Sequence, residues 1–370
     1  MKFLKYLILV LVLLNVPAAI LRYVSPTLGT ISSYSIFLLL IFYYLFQERS
    51  SLNVSLIVLG FAYYLIASFS YIGETMILIT DTIKYFVVVV CGYELLRTVS
   101  KRELFFLLLI GALTIVIEAV FFPSKFGRYS GLYLNPNVAG FICISGYGLI
   151  YGLRSVSLKL IGQFVFSLMG LLTFSRTFIA LWVTLNIISL WISVKNVRIF
   201  FLGFGILMTM VFIDEVVGLN NPRFQQIMAI VNNEQVSTAE INEGSRTDTW
   251  AKFYEDILEK PFFGSGYGTF QGRVGKHTTG VHNNYLLLLG EAGFIPFLLF
   301  LAYIFYHLFW SIRLFSKAPN LVMQYIALSV FLMANHNFFN FFYILFCAMW
   351  LQIQINKNKE SIYVNKTVAI

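Results

Sequence analysis

Three side chains stand out for chemistry: Arg176, Arg246 and His282. Arg176, in TFSRTFIAL, falls at the junction of two apolar runs with almost no loop between them. A guanidinium at that depth is costly unless it is paired or faces a polar cavity, so it either serves a functional anion or snorkels to the headgroups. Arg246 lies in GSRTDTWAKFYEDILEKPFFGSGYGTF, a polar run from Gly244 to Phe270, directly after Ser245. Ser245 with Asp248 three residues on fits a capping box, which puts Arg246 at a helix start. There the free N–H groups, the positive dipole end and the guanidinium together suit a phosphate or diphosphate; the alternative is a solvated loop arginine. His282, in GVHNNYLLLLGEAGF, opens an apolar stretch. A helix start pushes an imidazole toward its neutral form, the state a general base requires; otherwise the residue is an interfacial histidine or a cap. Asn283 and Asn284 beside it are either caps or partners for sugar hydroxyls.

Other polar residues give weaker signals. Gly264, Gly266 and Gly268 in PFFGSGYGTF lack the Lys-Ser/Thr and the preceding strand of a phosphate loop, so tight turning and close approach to the bundle explain them better. LYLNPNVAG, with Asn135, Pro136 and Asn137, reads as a turn followed by a helix start. Asp81 and Lys84 share a helical face three residues apart and are expected to neutralise each other. Glu94 and Glu118 lie near span ends. His336, in NHNFFN, is expected at an outer turn as a cap or a polar lining residue, and His307 as a packed or snorkelling one. Cys91, Cys143 and Cys347 sit in apolar runs without metal-site spacing and read as packing residues. No metal-ligand spacing occurs, so the expected chemistry is metal-free and needs no cofactor.

The elements that must position these residues are set by hydropathy. Of 370 residues, 59% are hydrophobic, 18% aromatic and only 12% charged; the mean hydropathy is +0.79. That composition is an all-α polytopic membrane protein, read as a single domain over 1–370. The net charge of +9 is spread between apolar runs rather than gathered on one module, which speaks against a nucleic-acid partner. Spans are expected near 3–21, 33–47, 53–71, 76–96, 104–121, 138–153, 159–174, 177–194, 199–213, 293–312, 320–336 and 339–355, the first as an uncleaved helix. With about twelve helices and a cytoplasmic N-terminus, most Lys and Arg fall inside, from Lys2 and Lys5 through Arg97 and Lys101 to Lys357. Only Arg22, Lys125, Arg128 and Arg176 fall in the short outer loops. Both termini are then cytoplasmic, and residues 214–292 form one long outward loop. In it Trp250, Phe253, Tyr254, Ile257 and Leu258 recur at helical spacing until Pro261, which predicts one short amphipathic helix.

Together these motifs resemble the O-antigen ligase and polymerase family of bacterial membrane enzymes that join lipid-linked surface glycans. The matching features are SRT at 175–177, Arg246 with Trp250, PFFGSGYG at 261–268, and H-N-x-Y-L-x-L-x-x-E-x-G from His282 to Gly293; Asn135 and Asn137 fit the family's Asn-Pro-Asn turn. The resemblance implies a GT-C-type bundle in the bacterial inner membrane. It implies an inverting, metal-independent glycosyltransferase of O-antigen, capsule or exopolysaccharide biosynthesis; ligases and polymerases share these motifs, and a polymerase is preferred only because a surface-glycan cluster can carry its own. Its donor would be an undecaprenyl-diphosphate-linked oligosaccharide, its acceptor a glycan or lipid A-core, and a chain-length regulator a further partner. Arg176 and Arg246 would hold the diphosphate and His282 would act on the acceptor, with Asn283, Tyr285, Arg128, Asn137, Trp250 and Gly266 as substrate contacts. A transporter or flippase of the same lipid-linked glycan, and a non-catalytic scaffold, are the alternatives from other classes.

Overall fold

The apolar runs fold as helices. A computed structural model describes residues 1–49, 51–122, 127–217 and 246–367, and no strand occurs among them. In chain order the helices are α1 (Lys2–Leu13), α2 (Val16–Tyr23), α3 (Pro26–Leu45), α4 (Val54–Ser68), α5 (Thr75–Arg97), α6 (Lys101–Phe121), α7 (Pro136–Leu149), α8 (Val156–Leu172) and α9 (Arg176–Leu190). They continue as α10 (Val197–Val217), α11 (Arg246–Ala251), α12 (Tyr254–Glu259), α13 (Asn284–Ala292), α14 (Phe294–Arg313), α15 (Pro319–Phe331) and α16 (Phe342–Thr367).

A helix overlaps every one of the twelve expected runs, but their lengths differ. Among the described residues five helices are long and apolar enough to cross a membrane: Pro26–Leu45, Thr75–Arg97, Lys101–Phe121, Val194–Phe212 and Phe294–Arg313. The first expected span is corrected to a broken pair, α1 and α2, which meet at 59° and make a sixth crossing if counted as one. The break has a local cause. Asn15 takes a left-handed φ of 53°, and Pro17 in the first turn of α2 lacks the N–H that a continuous helix would need. Helices such as α4, with 15 residues, reach about 22 Å at 1.5 Å per residue, short of a hydrocarbon core of roughly 30 Å.

Two compact units share the chain. The first takes Met1–Ser100, Arg246–Lys317 and Leu328–Ile370; the second takes Lys101–Ser245 and Ala318–Ala327. In the first unit, carbonyls at the C-terminal end of α5, orphaned by the end of the helix, find donors from far along the chain. Lys357 Nζ donates to Arg97 O at 3.0 Å, Lys5 Nζ to Thr98 O at 2.8 Å, and Trp350 Nε1 to Val99 O at 3.0 Å. Lys5, Arg97 and Lys357, all expected on one side of the membrane, are thus gathered at one end of this unit. A buried amide pair joins α16 to the start of α4: Asn53 Nδ2 donates to Gln352 Oε1 at 2.9 Å, and Gln352 Nε2 returns a bond to Asn53 Oδ1 at 3.1 Å.

The second unit is built around α7. Every residue from Val138 to Leu149 is buried, as befits a helix that is apolar all round. Its small residues let neighbours come close: a Cβ at Gly140 would sit 3.1 Å from Phe178 Cβ and 3.2 Å from Ser175 Cβ, and one at Gly146 would overlap the Phe166 ring.

Two further expectations are corrected. Asp81 does not pair with Lys84. It accepts from Arg273 Nη1 at 2.8 Å and Tyr267 Oη at 2.7 Å, while Lys84 Nζ lies 4.9 Å from the centre of the Tyr34 ring. A guanidinium and a phenol delivered by a loop satisfy the carboxylate, and the ammonium settles on an aromatic face. The stretch 246–261 is also not one helix: α11 stops at Ala251, and α12 begins again at Tyr254 with Phe253 as its N-cap. Phe253 is fully buried on Phe270 and His277, with ring centroids 4.9 and 4.1 Å away, and its tertiary packing breaks the local repeat. The expected cap Ser245, the loop at 218–245 and Lys125 lie outside the described residues.

Candidate functional site

In the second unit the site residues are assembled by two helix starts and one loop. Asn135 caps α7, its Oδ1 accepting from the N–H groups of Asn137 and Val138 at 2.9 and 3.3 Å, so the Asn-Pro-Asn turn is a cap at its first residue. That leaves the second asparagine's side chain for other work. Asn137 Oδ1 accepts from Arg128 Nη2 at 3.1 Å and from Ser175 Oγ at 3.0 Å; Arg128 Nε also donates to Thr173 O at 3.4 Å. Ser175 in turn caps α9, accepting from the Phe178 N–H at 3.3 Å. The loop that carries Arg128 is held by Glu118 of α6, whose Oε2 accepts from the N–H groups of Ser130 and Gly131 at 2.5 and 2.6 Å. Arg128, Asn137 and Ser175 therefore form one cluster at the start of α9.

Arg176 follows at the first position of α9. It is exposed and has no side-chain hydrogen bond or ion pair among the described residues. A cation at a helix N-terminus faces the positive end of the dipole, an unfavourable placement by a few tenths to about 1 kcal/mol that an incoming anion would reverse.

In the first unit His282 and His336 come together, within the electrostatic reach of Arg246. His282 takes a left-handed φ of 52°, and its backbone N–H donates to His336 Nδ1 at 3.2 Å. The two imidazoles meet edge to face, with centroids 4.9 Å apart. Burial first, and the positive charge of Arg246 second, hold the His282 imidazole below its ordinary pKa. Both effects act in the direction of the neutral ring expected for His282, through desolvation and a guanidinium. Its ring nitrogens make no hydrogen bond among the described residues. Arg246 opens a helix of six residues, so it has less of a dipole beside it than the longer expected helix would supply. Trp250, one turn on, is half-buried, and its Nε1 is buried without a hydrogen-bond partner among the described residues.

The neighbouring motif residues are largely engaged by the fold. Asn283 caps α13, accepting from the N–H groups of Tyr285 and Leu286 at 2.9 and 3.2 Å. Tyr285 Oη donates to Ser329 O at 3.0 Å. Gly266 has φ 98°; a Cβ there would overlap the Ser70 carbonyl, and its N–H donates to Glu291 O at 3.1 Å. The PFFGSGYG turn thus docks on the ends of α4 and α13, which is the close approach expected of its glycines.

Sequence reasoning attached no role to Glu291, although it stands inside the H-N-x-Y motif. It is fully buried in α13 and accepts four hydrogen bonds: from Tyr63 Oη at 2.5 Å, Gln271 Nε2 at 3.0 Å, the Phe270 N–H at 3.0 Å, and a backbone bond from Gly268. Burial outweighs these donors and pushes its carboxyl up to about 7. An acid within an apolar run is itself a signal that buried partners must exist. His277 and Asp256 were also missed, lying in no motif. Their side chains meet at 2.5 Å, and Lys276 Nζ is 2.5 Å from the other carboxylate oxygen. Although burial raises the Asp256 carboxyl, those two donors leave it below its usual range. Among the described residues no three His, Cys, Asp or Glu side chains cluster as a metal site would require.

Comparison with known proteins bears on the same stretch. Residues 161–301 match the model of the family described as O-Antigen ligase, a segment that contains all of 175–293 and so bears out the family resemblance drawn from SRT, PFFGSGYG and H-N-x-Y. No curated protein matches the chain significantly.

Proposed function

With residues 161–301 matching the O-Antigen ligase family, we propose that this membrane protein is an inverting glycosyltransferase that transfers or polymerises a glycan carried on undecaprenyl diphosphate. We place its reaction at the outer face of the bacterial inner membrane, in surface-polysaccharide biosynthesis, with both termini cytoplasmic and polymerisation preferred over ligation. A further glycan or lipid A-core is the acceptor. In this reading an acceptor hydroxyl attacks the anomeric carbon of the donor while its proton passes to His282. The bond to the diphosphate breaks, and the lipid diphosphate leaves with the electron pair. Arg176 and Arg246 meet the charge that grows on that leaving group; donors in a partly dehydrated site stabilise the transition state more than the ground state. Arg128, Asn137 and Trp250 are the supporting substrate contacts.

The observation that carries the proposal is the state of His282: an imidazole held neutral by burial and by Arg246, with no hydrogen bond on its ring among the described residues. A general base must be unprotonated and reachable, and a guanidinium beside it supplies the countercharge for an anion. The test is purified full-length protein with a defined undecaprenyl-diphosphate oligosaccharide, with and without acceptor. Transfer is expected, falling about 10²–10⁴-fold in His282→Ala and about 10²–10³-fold in Arg176→Ala or Arg246→Ala. Unchanged transfer in these variants at normal protein levels removes the assigned roles. Movement of the lipid across vesicles with no new glycosidic bond would replace the proposal with transport.

A further inference from the structure

We infer that His336 is a positioning residue for His282: its Nδ1 accepts the His282 backbone N–H and holds that residue in the left-handed conformation that presents its imidazole. The inference rests on the proposed role of His282 as proton acceptor.

The segment from Gly280 to Asn284 is fastened to the turn after α15 at three points. His282 N–H donates to His336 Nδ1 at 3.2 Å, Asn284 N–H to Leu332 O at 2.8 Å, and Phe338 N–H to Asn284 Oδ1 at 3.3 Å. Two of these bonds involve Asn284. The only one at His282 itself is the bond to His336. A residue with a Cβ adopts φ 52° rarely, so something must hold it there. The His336 ring is backed on its far side by Gly280, where a Cβ would lie 2.5 Å from both Cε1 and Nε2. Wedged between Gly280 and His282, the imidazole has little room to turn.

The protonation state matches this task. Accepting at Nδ1 places the proton of the neutral ring on Nε2. A charged ring would point an N–H at the His282 N–H and break the contact. Burial first, then the neighbouring His282 imidazole and the charges of Arg273 and Arg246, push His336 down to about 3. It therefore remains an acceptor throughout the range in which His282 would work. A base and a second imidazole that cannot take its proton divide the labour: one moves a proton and the other fixes geometry.

The test uses His336→Asn, whose Oδ1 is bonded to Cγ as Nδ1 is, and His336→Gln, whose amide reaches instead toward the Nε2 position. Two readouts are taken on the purified full chain. One is kcat/KM for glycan transfer against pH. The other is the rate at which diethyl pyrocarbonate modifies His282, followed by mass spectrometry across pH; it reports the exposure and protonation of that ring independently of glycan transfer. His336→Asn is expected to stay within about 3-fold of wild type in both, and His336→Gln to lose about 10-fold or more in transfer while the pH midpoint of modification moves up. Equal behaviour of the two variants overturns the inference, as does retention by Gln with loss in Asn, which would make Nε2 the operative atom. If wild type transfers no glycan, the proposed reaction fails, and the modification profile still decides whether His336 sets His282.

Discussion

Glu291→Gln is the sharpest probe of the buried network beneath the H-N-x-Y motif. The carboxyl is pushed from 4.5 up to about 7 because desolvation outweighs the donors Tyr63, Gln271, Gly268 and Phe270. Holding the carboxyl at about 7 instead of 4.5 costs the folded state roughly 3 kcal/mol once it ionises. The sign follows from proton counting. Between about pH 4.5 and 7 the unfolded chain has released a proton that the native state still holds, so stability falls across that window and levels off above it. Glutamine keeps an oxygen for the Phe270 N–H and cannot ionise. Thermal unfolding in detergent micelles from pH 4.5 to 8 should show wild type losing about 3 kcal/mol more than Glu291→Gln, a difference of roughly 4 °C for a chain of this length. The variant's curve should be the flatter one. Parallel curves would refute the reasoning, because they would mean that Glu291 ionises alike in the folded and unfolded chain.

Three further outcomes are expected. Gly266→Ala should destabilise the protein by about 2 kcal/mol or more, read as a lowered unfolding midpoint, because φ 98° and the Ser70 carbonyl both oppose a Cβ. Transfer activity should titrate with an acid limb below the ordinary histidine range, since burial and Arg246 depress His282; a limb at or above that range would assign the proton to another group. Asp81→Asn should cost less than about 1 kcal/mol by the same unfolding assay despite its short ion pair, because the Arg273 side chain is 43% exposed and water screens it.

The charge pattern around His282 explains why two imidazoles in contact can differ in use. Arg246 depresses both, and burial depresses both, but His336 is the more enclosed of the two and carries the backbone bond. The same logic, carried by burial alone, governs Glu291, a carboxyl kept protonated up to about 7 while it gathers the loop at Gly268–Gln271. Rigid support of the PFFGSGYG turn and a neutral ring at His282 are thus both consequences of excluding water from one region of the first unit.

Much of the local architecture was legible in the residues themselves. Hydropathy over windows of about twenty residues locates helices, and a helix is found on each apolar run. Asn135 caps the helix start that LYLNPNVAG announces, and Asn283 acts as a cap, one of the two roles its position offers, because a cap depends only on neighbours two or three residues away. The motifs between 175 and 293 likewise carried the family resemblance, since motif spacing is a property of the chain alone.

Partnership was decided by tertiary structure. Lys84 is the helical neighbour of Asp81, yet the carboxylate goes to Arg273, 192 residues away. Glu291 answers to Tyr63 at a separation of 228, and His282 to His336 at 54. Helical periodicity, hydropathy and capping are short-range effects encoded in adjacent residues. The neutral state of His282, the raised carboxyl of Glu291 and the choice of His336 as its support arise from desolvation and from charges brought near by folding, quantities that exist only once distant segments have packed.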